Sequence, residues 1–111
     1  MLDTVTPGHS ASLARLGHAL SDDTRARVLL ALREAPALPS ELADSLGVSR
    51  QKLSNHLACL RGCGLVTAER VGRTARYRLS DPLLSQALGD LMRLTLVVDP
   101  DCCTGEECRC L

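Results

Sequence analysis

Tyr77 is the only aromatic side chain in the sequence, which contains no Phe and no Trp. A core without large rings has to be assembled from Leu, Val and Ala, each of which withdraws a modest apolar area from water. In 111 residues there is room for one such core and no second. A multidomain enzyme is thereby excluded, and little volume is left for a pocket enclosing a small organic substrate. A core this lean gains from burying a further apolar helix face in a partner, so a homodimer is expected. Hydrophobic residues make up 45% and charged residues 23% of the chain, with no apolar run long enough to cross a bilayer. The stretch around Asp3 and Pro7 lacks the basic-then-apolar order of a secretion signal. The expectation is a soluble, cytoplasmic protein with no membrane partner.

The order of apolar residues and helix breakers lays out the elements. Leu13, Leu16 and Leu20 recur at helical spacing over residues 10–20, and Ser21-Asp22-Asp23 offers capping oxygens to a second helix reaching about residue 34. Pro36 and Pro39 punctuate the join to a short helix over residues 40–46, with Leu42, Ala43 and Leu46 on one side. Gly47 ends it, and Ser49 caps a fourth helix that turns Leu53, Leu57 and Leu60 inward until Gly62 and Gly64 stop it. Two helices joined by a short glycine-containing turn make a helix-turn-helix. Residues 65–70 and 75–79 then read as strands about the hairpin Val71-Gly72-Arg73-Thr74.

A last helix over about residues 82–98 opens on Pro82 and repeats Leu84, Ala87, Leu88, Leu91, Leu94 and Val98. That stripe exceeds what the small domain needs and is assigned, with the first helix, to a dimer seam. The expected architecture is mainly α with a small β-hairpin, a winged helix-turn-helix in the order α-α-α-α-β-β-α. It occupies residues 1–98, and a cysteine-rich tail over residues 99–111 is too short to fold alone.

The 13 basic and 13 acidic side chains balance overall, but not locally. Between residues 49 and 78 stand Arg50, Lys52, Arg61, Arg70, Arg73, Arg76 and Arg78 against one acid, Glu69, so the remainder is correspondingly acidic. A concentrated positive stretch guides a polyanion to one face of a neutral protein. Within the fourth helix, Ser49, Arg50, Gln51, Lys52, Ser54, Asn55 and His56 cover the polar side with hydroxyl, guanidinium, amide, ammonium and imidazole groups. Such a helix fits the major groove of double-stranded DNA, where Gln or Asn pairs bidentately with adenine and Arg with guanine, while Ser and Lys reach phosphates. The hairpin adds Arg73, Arg76 and Arg78 as a basic wing. The plain alternative is a solvated polar surface with His56 only capping or packing.

Six cysteines would allow three disulfides in a secreted chain, but their arrangement points to thiol chemistry. Cys59 and Cys63 are four apart on a helix, so their β-carbons emerge on one face about 5–6 Å apart. Both sulfurs can then grip one metal ion at about 2.3–2.5 Å each. Two ligands are too few for a tight site, and the tail offers Cys102, Cys103, Cys108 and Cys110 as a third or fourth. Soft thiolates select cadmium, lead, mercury, arsenite or zinc, and spacing does not choose among them. The alternative for Cys59 and Cys63 is a pair of small buried apolar residues. For the tail it is an oxidation-prone end. His9 and His18 have no second ligand at helical spacing and are read as surface or packing residues.

The run from Leu46-Gly47-Val48-Ser49 through Ser54-Asn55-His56-Leu57, then Leu60-Arg61-Gly62-Cys63-Gly64-Leu65-Val66 and the wing from Val71 to Tyr77, resembles the ArsR/SmtB family of winged-helix metal-sensing repressors. Around Cys59 and Cys63 it is most similar to the cadmium- and lead-sensing members. The resemblance implies a homodimer that binds operator DNA when metal-free and leaves it when metal binds. It also implies that a cysteine from the other subunit's tail completes the helix pair. The matching position falls near Thr104, just after Cys102 and Cys103, and Cys102 is the first choice. Cys108 and Cys110 have no counterpart in that pattern and would hold a second ion, broaden selectivity or deliver metal. Zinc sensors of the family use Asp and His on the last helix, where this chain has Asp90 and no histidine. Other members carry Cys-x-Cys before the reading helix, which residues 40–46 lack.

Two further readings compete. A thiol-redox sensor of the same fold would oxidise a cysteine pair, yet a Cys59–Cys63 bridge needs β-carbons within about 4.5 Å, closer than helical spacing gives. A metal-trafficking or buffering protein would leave the basic stretch without a purpose. For an enzyme, no Ser/His/Asp set, paired acid or glycine-rich phosphate loop is in a plausible frame.

Overall fold

Asp22, Leu38, Ser49 and Asp81 start four of the five helices of the computed structural model, which describes residues 7–94. Asp22 Oδ2 accepts the Arg25 N–H (3.0 Å), Ser49 Oγ the Lys52 N–H (3.1 Å) and Asp81 Oδ1 the Leu83 N–H (2.8 Å), each satisfying a first-turn donor that the helix itself cannot. The chain order is α1 (Pro7–Leu20), α2 (Asp23–Glu34), α3 (Pro39–Leu46), α4 (Arg50–Gly62), β1 (Val66–Val71), β2 (Thr74–Leu79) and α5 (Pro82–Met92). This is the expected winged helix-turn-helix.

The boundaries differ from the sequence reading in instructive places. Pro7 and Pro39 open α1 and α3 rather than standing outside them, because a first-turn residue needs no hydrogen-bonded N–H. The wing loop is two residues, Gly72-Arg73, not four, since Val71 and Thr74 are themselves paired. Leu65 serves the end of α4 instead of starting the strand. The last helix ends at Met92, where the N–H groups of Arg93 and Leu94 turn back to Asp90 O (3.1 Å) and Leu91 O (3.0 Å) and close the turn. Val98 lies outside the described residues.

The core is aliphatic, as the composition requires. Val28, Leu29, Leu53, Leu57, Leu60, Val66 and Leu88 are its largest fully buried side chains, joined by Ala19, Leu32, Leu42 and Ala43. Each fully buried Leu is worth roughly 1.5–3 kcal/mol. Tyr77 stays half-buried on β2, and its backbone exchanges two hydrogen bonds with Ala37 (2.8 and 3.0 Å), tying the hairpin to the segment before α3. Arg33 of α2 clasps α5: its Nε donates to Ser85 O at 2.8 Å, and its guanidinium occupies the space a Cβ on Gly89 would need.

The expected seam divides in two. Leu88 is buried in the protomer's own core and Leu84 packs against it. Leu13 on α1 and Leu83, Leu91, Met92 and Leu94 on or just after α5 are exposed. Among the described residues no helix is long and apolar enough to cross a membrane.

Candidate nucleic-acid interface and metal centre

The turn between α3 and α4 is Gly47-Val48-Ser49. Gly47 takes the left-handed conformation (φ 68°), which lets the chain leave α3 sharply while the Val48 N–H returns to Ala43 O (3.1 Å). Ser49 then caps α4. Behind the helix Leu53, Leu57 and Leu60 are buried in the core; in front Arg50, Gln51, Lys52, Ser54 and Asn55 are exposed. Gln51 Nε2 donates to Asn55 Oδ1 (3.1 Å), so the two amides are pre-paired one turn apart, with the Gln51 oxygen and the Asn55 nitrogen left for a base edge. His56 does not join that row: its side chain is 15% exposed and Nε2 lies 3.7 Å from Asp22 Oδ2 at the start of α2.

The wing is an antiparallel pair in which Glu69 lies opposite Arg76 and Arg70 opposite Ala75. Glu69 pairs with Arg78 on the exposed face, so the single acid of the basic stretch neutralises that arginine. The side chains of Arg50, Lys52, Arg61, Arg70, Arg73 and Arg76 make no hydrogen bond or ion pair among the described residues. Three of them, Arg61, Arg70 and Arg73, line one groove of about 400 Å³ with Pro39, Ala68, Thr74, Ala75 and Tyr77. Unpaired guanidiniums converging on an open groove suit the phosphates of a nucleic-acid backbone.

Cys59 lies in the last turn of α4 and Cys63 caps it; both are half-buried free thiols. The helical turn between them is intact, since the Cys63 N–H donates to Cys59 O at 3.0 Å. Beyond Cys63 the Gly64 N–H bonds Arg61 O and the Leu65 N–H bonds Leu60 O, both at 3.0 Å, a closure that requires Gly64 at φ 78°. The pair is thus held by a completed helix end. Two soft donors on one face fit a thiophilic ion. Among the described residues no group of three or more His, Cys, Asp or Glu stands together, so any further donor comes from elsewhere. Cys102, Cys103, Cys108 and Cys110 lie outside the described residues.

Residues 22–68 match the family described as bacterial regulatory protein, arsR family. The sequence is 53% identical over 91 residues to the HTH-type transcriptional regulator CmtR of Mycobacterium bovis, covering 82% of this chain and 77% of that protein. The chain belongs to the ArsR family. A probable mercury resistance operon repressor of Streptomyces lividans is 33% identical over 100 residues, covering 86% of this chain and 78% of that one. In structure, the cadmium metal-sensor CmtR of Mycobacterium tuberculosis, solved by NMR, matches with a TM-score of 0.67 at 52% identity, covering 84% of this chain and 98% of that one. These relatives are regulators, and this ArsR-family protein is a DNA-binding regulator rather than an enzyme.

Sequence reasoning counted Arg61 and Arg70 in the basic stretch but did not bring them into one groove with Arg73, nor place Asp22 beside His56. Alternation from the buried Val66 puts Ala68 and Arg70 on one strand face, a signal that was available. Asp22 and His56 are 34 positions apart, and nothing in the sequence joins them.

Proposed function

We propose that this ArsR-family protein is a homodimeric transcriptional repressor that holds operator DNA when metal-free and releases it when a thiophilic ion, cadmium or lead, is bound by Cys59, Cys63 and a thiol of the 99–111 tail. The observation that carries the reading is the placement of two thiols at the end of the same helix whose opening turns present a row of exposed polar and basic groups. In this assignment Ser49, Arg50, Gln51, Lys52, Ser54 and Asn55 face the major groove, and Arg73 and Arg76 hold phosphates from the wing, joined by Arg61 and Arg70. Cys102 is the first choice for the completing donor, with Cys103 beside it, supplied by the partner's tail.

The bound ion supplies strong bonds between three or more thiolates. The chain's part is to present Cys59 and Cys63 from a rigid helix end, so that tethering that end to the partner resets the reading helix. Twofold operators demand two half-sites about 34–36 Å apart, so a small change in that spacing weakens both halves at once. Reciprocity requires DNA to weaken metal binding by the same factor.

The test is a binding assay on an operator fragment with cadmium, lead, mercury, arsenite and zinc added in turn. The wild-type protein should let go of DNA with cadmium or lead, and Cys59→Ser and Cys63→Ser should bind the fragment yet ignore both ions. A wild-type dimer that stays bound at saturating concentrations of every ion rules the reading out. A response confined to mercury would align the chain with its mercury-resistance relative instead.

A further inference from the structure

Helix α4 is held to the rest of the protein chiefly by Leu53, Leu57 and Leu60, and apolar packing resists separation but sets rotation and sliding only weakly. One polar contact supplements it. The contact between His56 Nε2 and Asp22 Oδ2 (3.7 Å) is, among the described residues, the sole polar side-chain link from α4 to another element. The same Asp22 oxygen accepts the Arg25 N–H at 3.0 Å to cap α2. Arg25 in turn reaches back to the end of α1, with Nε on Ala19 O (3.2 Å) and Nη2 on His18 O (2.9 Å). A polar path therefore runs from the end of α1, through Asp22, to the middle of α4. On α4, His56 stands one turn after Lys52 and one turn before Cys59, between the DNA-facing groups and the thiols.

We propose that Asp22 is a positioning residue that couples metal capture to DNA release, by fixing the roll of α4 against the α1 side of the molecule through His56. The proposal rests on the metal-responsive reading above. With the tie in place, a pull on the Cys59–Cys63 end turns the reading helix as one body relative to α1, whose exposed Leu13 belongs to the face assigned to the partner. Without it, the same pull is taken up by slippage over the leucines, and the DNA-facing turns stay where they were.

Asp22→Asn separates this role from capping, because Asn caps a helix as well as Asp and lacks the charge that faces His56. The readout is the ratio of operator affinities without and with saturating cadmium, measured on the full-length dimer; coupled sites of this kind give ratios of about 5–150-fold. Asp22→Asn and His56→Gln should each cut the wild-type ratio to less than a third, and the double variant should cut it no further than either alone. Cadmium affinity, followed by sulfur-to-metal charge-transfer absorbance, should change less than the ratio does. A full wild-type ratio in Asp22→Asn overturns the proposal while leaving the metal-responsive reading intact, even if the thermal midpoint has dropped, which is all a purely structural role would do. If Asp22→Asn does not fold, His56→Gln decides on the same criterion. A wild-type protein with no ratio at all overturns both.

Discussion

At the scale of single residues, Asp22 carries a pH dependence whose sign follows from its partners. The Arg25 backbone N–H, aided by the charges of His56 and Arg25, holds the Asp22 carboxyl below the usual carboxylate range. The folded state therefore favours the charged form, and its contribution to stability is complete at neutral pH. As the pH falls through the folded-state value that contribution is lost, because protonation removes an acceptor that the unfolded chain does not rely on. Denaturant midpoints at neutral pH and below the ordinary carboxylate range of about 3.9–4.3 measure it. The wild-type midpoint should fall further than that of Asp22→Asn, whose cap does not titrate; equal falls would place the acid sensitivity elsewhere. His56 shows how a residue can be legible in identity but not in role. Its position among polar neighbours on α4 put it with the DNA-facing groups, and only the approach of α2 reveals that it turns inward.

Elements behave according to how they are closed. The end of α4 is closed by Gly64 at φ 78°, a conformation that costs other residues about 1–2 kcal/mol. Gly64→Ala should lower stability by about that much and weaken metal affinity, because Cys63 sits immediately before the strained position. Gly62→Ala, with open space at its Cβ, should leave metal affinity unchanged and gain up to about 1 kcal/mol from helix propensity. Chemical denaturation and a metal titration on both variants separate the two. On the wing, Arg70→Ala should weaken operator binding uniformly across sequences and flatten its salt dependence by about one unit of slope. Arg78→Ala should do far less, since Glu69 already neutralises that side chain. Identical salt slopes in the two variants would remove the groove from the interface. The helices were legible because caps, prolines and glycines mark their ends and the leucine spacing their inner faces. The wing's register was legible too, since Arg70 pairs with Ala75 whether the loop is read as two residues or four; what strand alternation does not show is that Arg61 of α4 and Pro39 of α3 lie against that face. The division of the α5 stripe between Leu88, buried in the core, and Leu91, exposed, was equally hidden, because periodicity gives a face and not what covers it.

The whole molecule raises a question of reach. One protomer presents a single reading helix, whereas a twofold operator offers two half-sites about 34–36 Å apart, so a second copy has to place the second helix. The surface available for that copy is apolar and lies on the first and last helices, where Leu13 is 68%, Leu83 70% and Leu91 44% exposed. Leu91→Glu plants a charge in this face without entering the core, which is closed by Leu88 instead. Circular dichroism should therefore stay that of the wild type, while sedimentation velocity should show a monomer at concentrations where the parent is a dimer. Operator affinity should drop by about 10²–10⁴-fold, the advantage that simultaneous engagement of two sites confers. Affinity for a single half-site should be unchanged, because α4 and the wing are untouched. A Leu91→Glu protein that still sediments as a dimer and binds the full operator as before would move the seam away from α5. Lost affinity for the isolated half-site would show instead that the substitution had disturbed the fold of the reader itself.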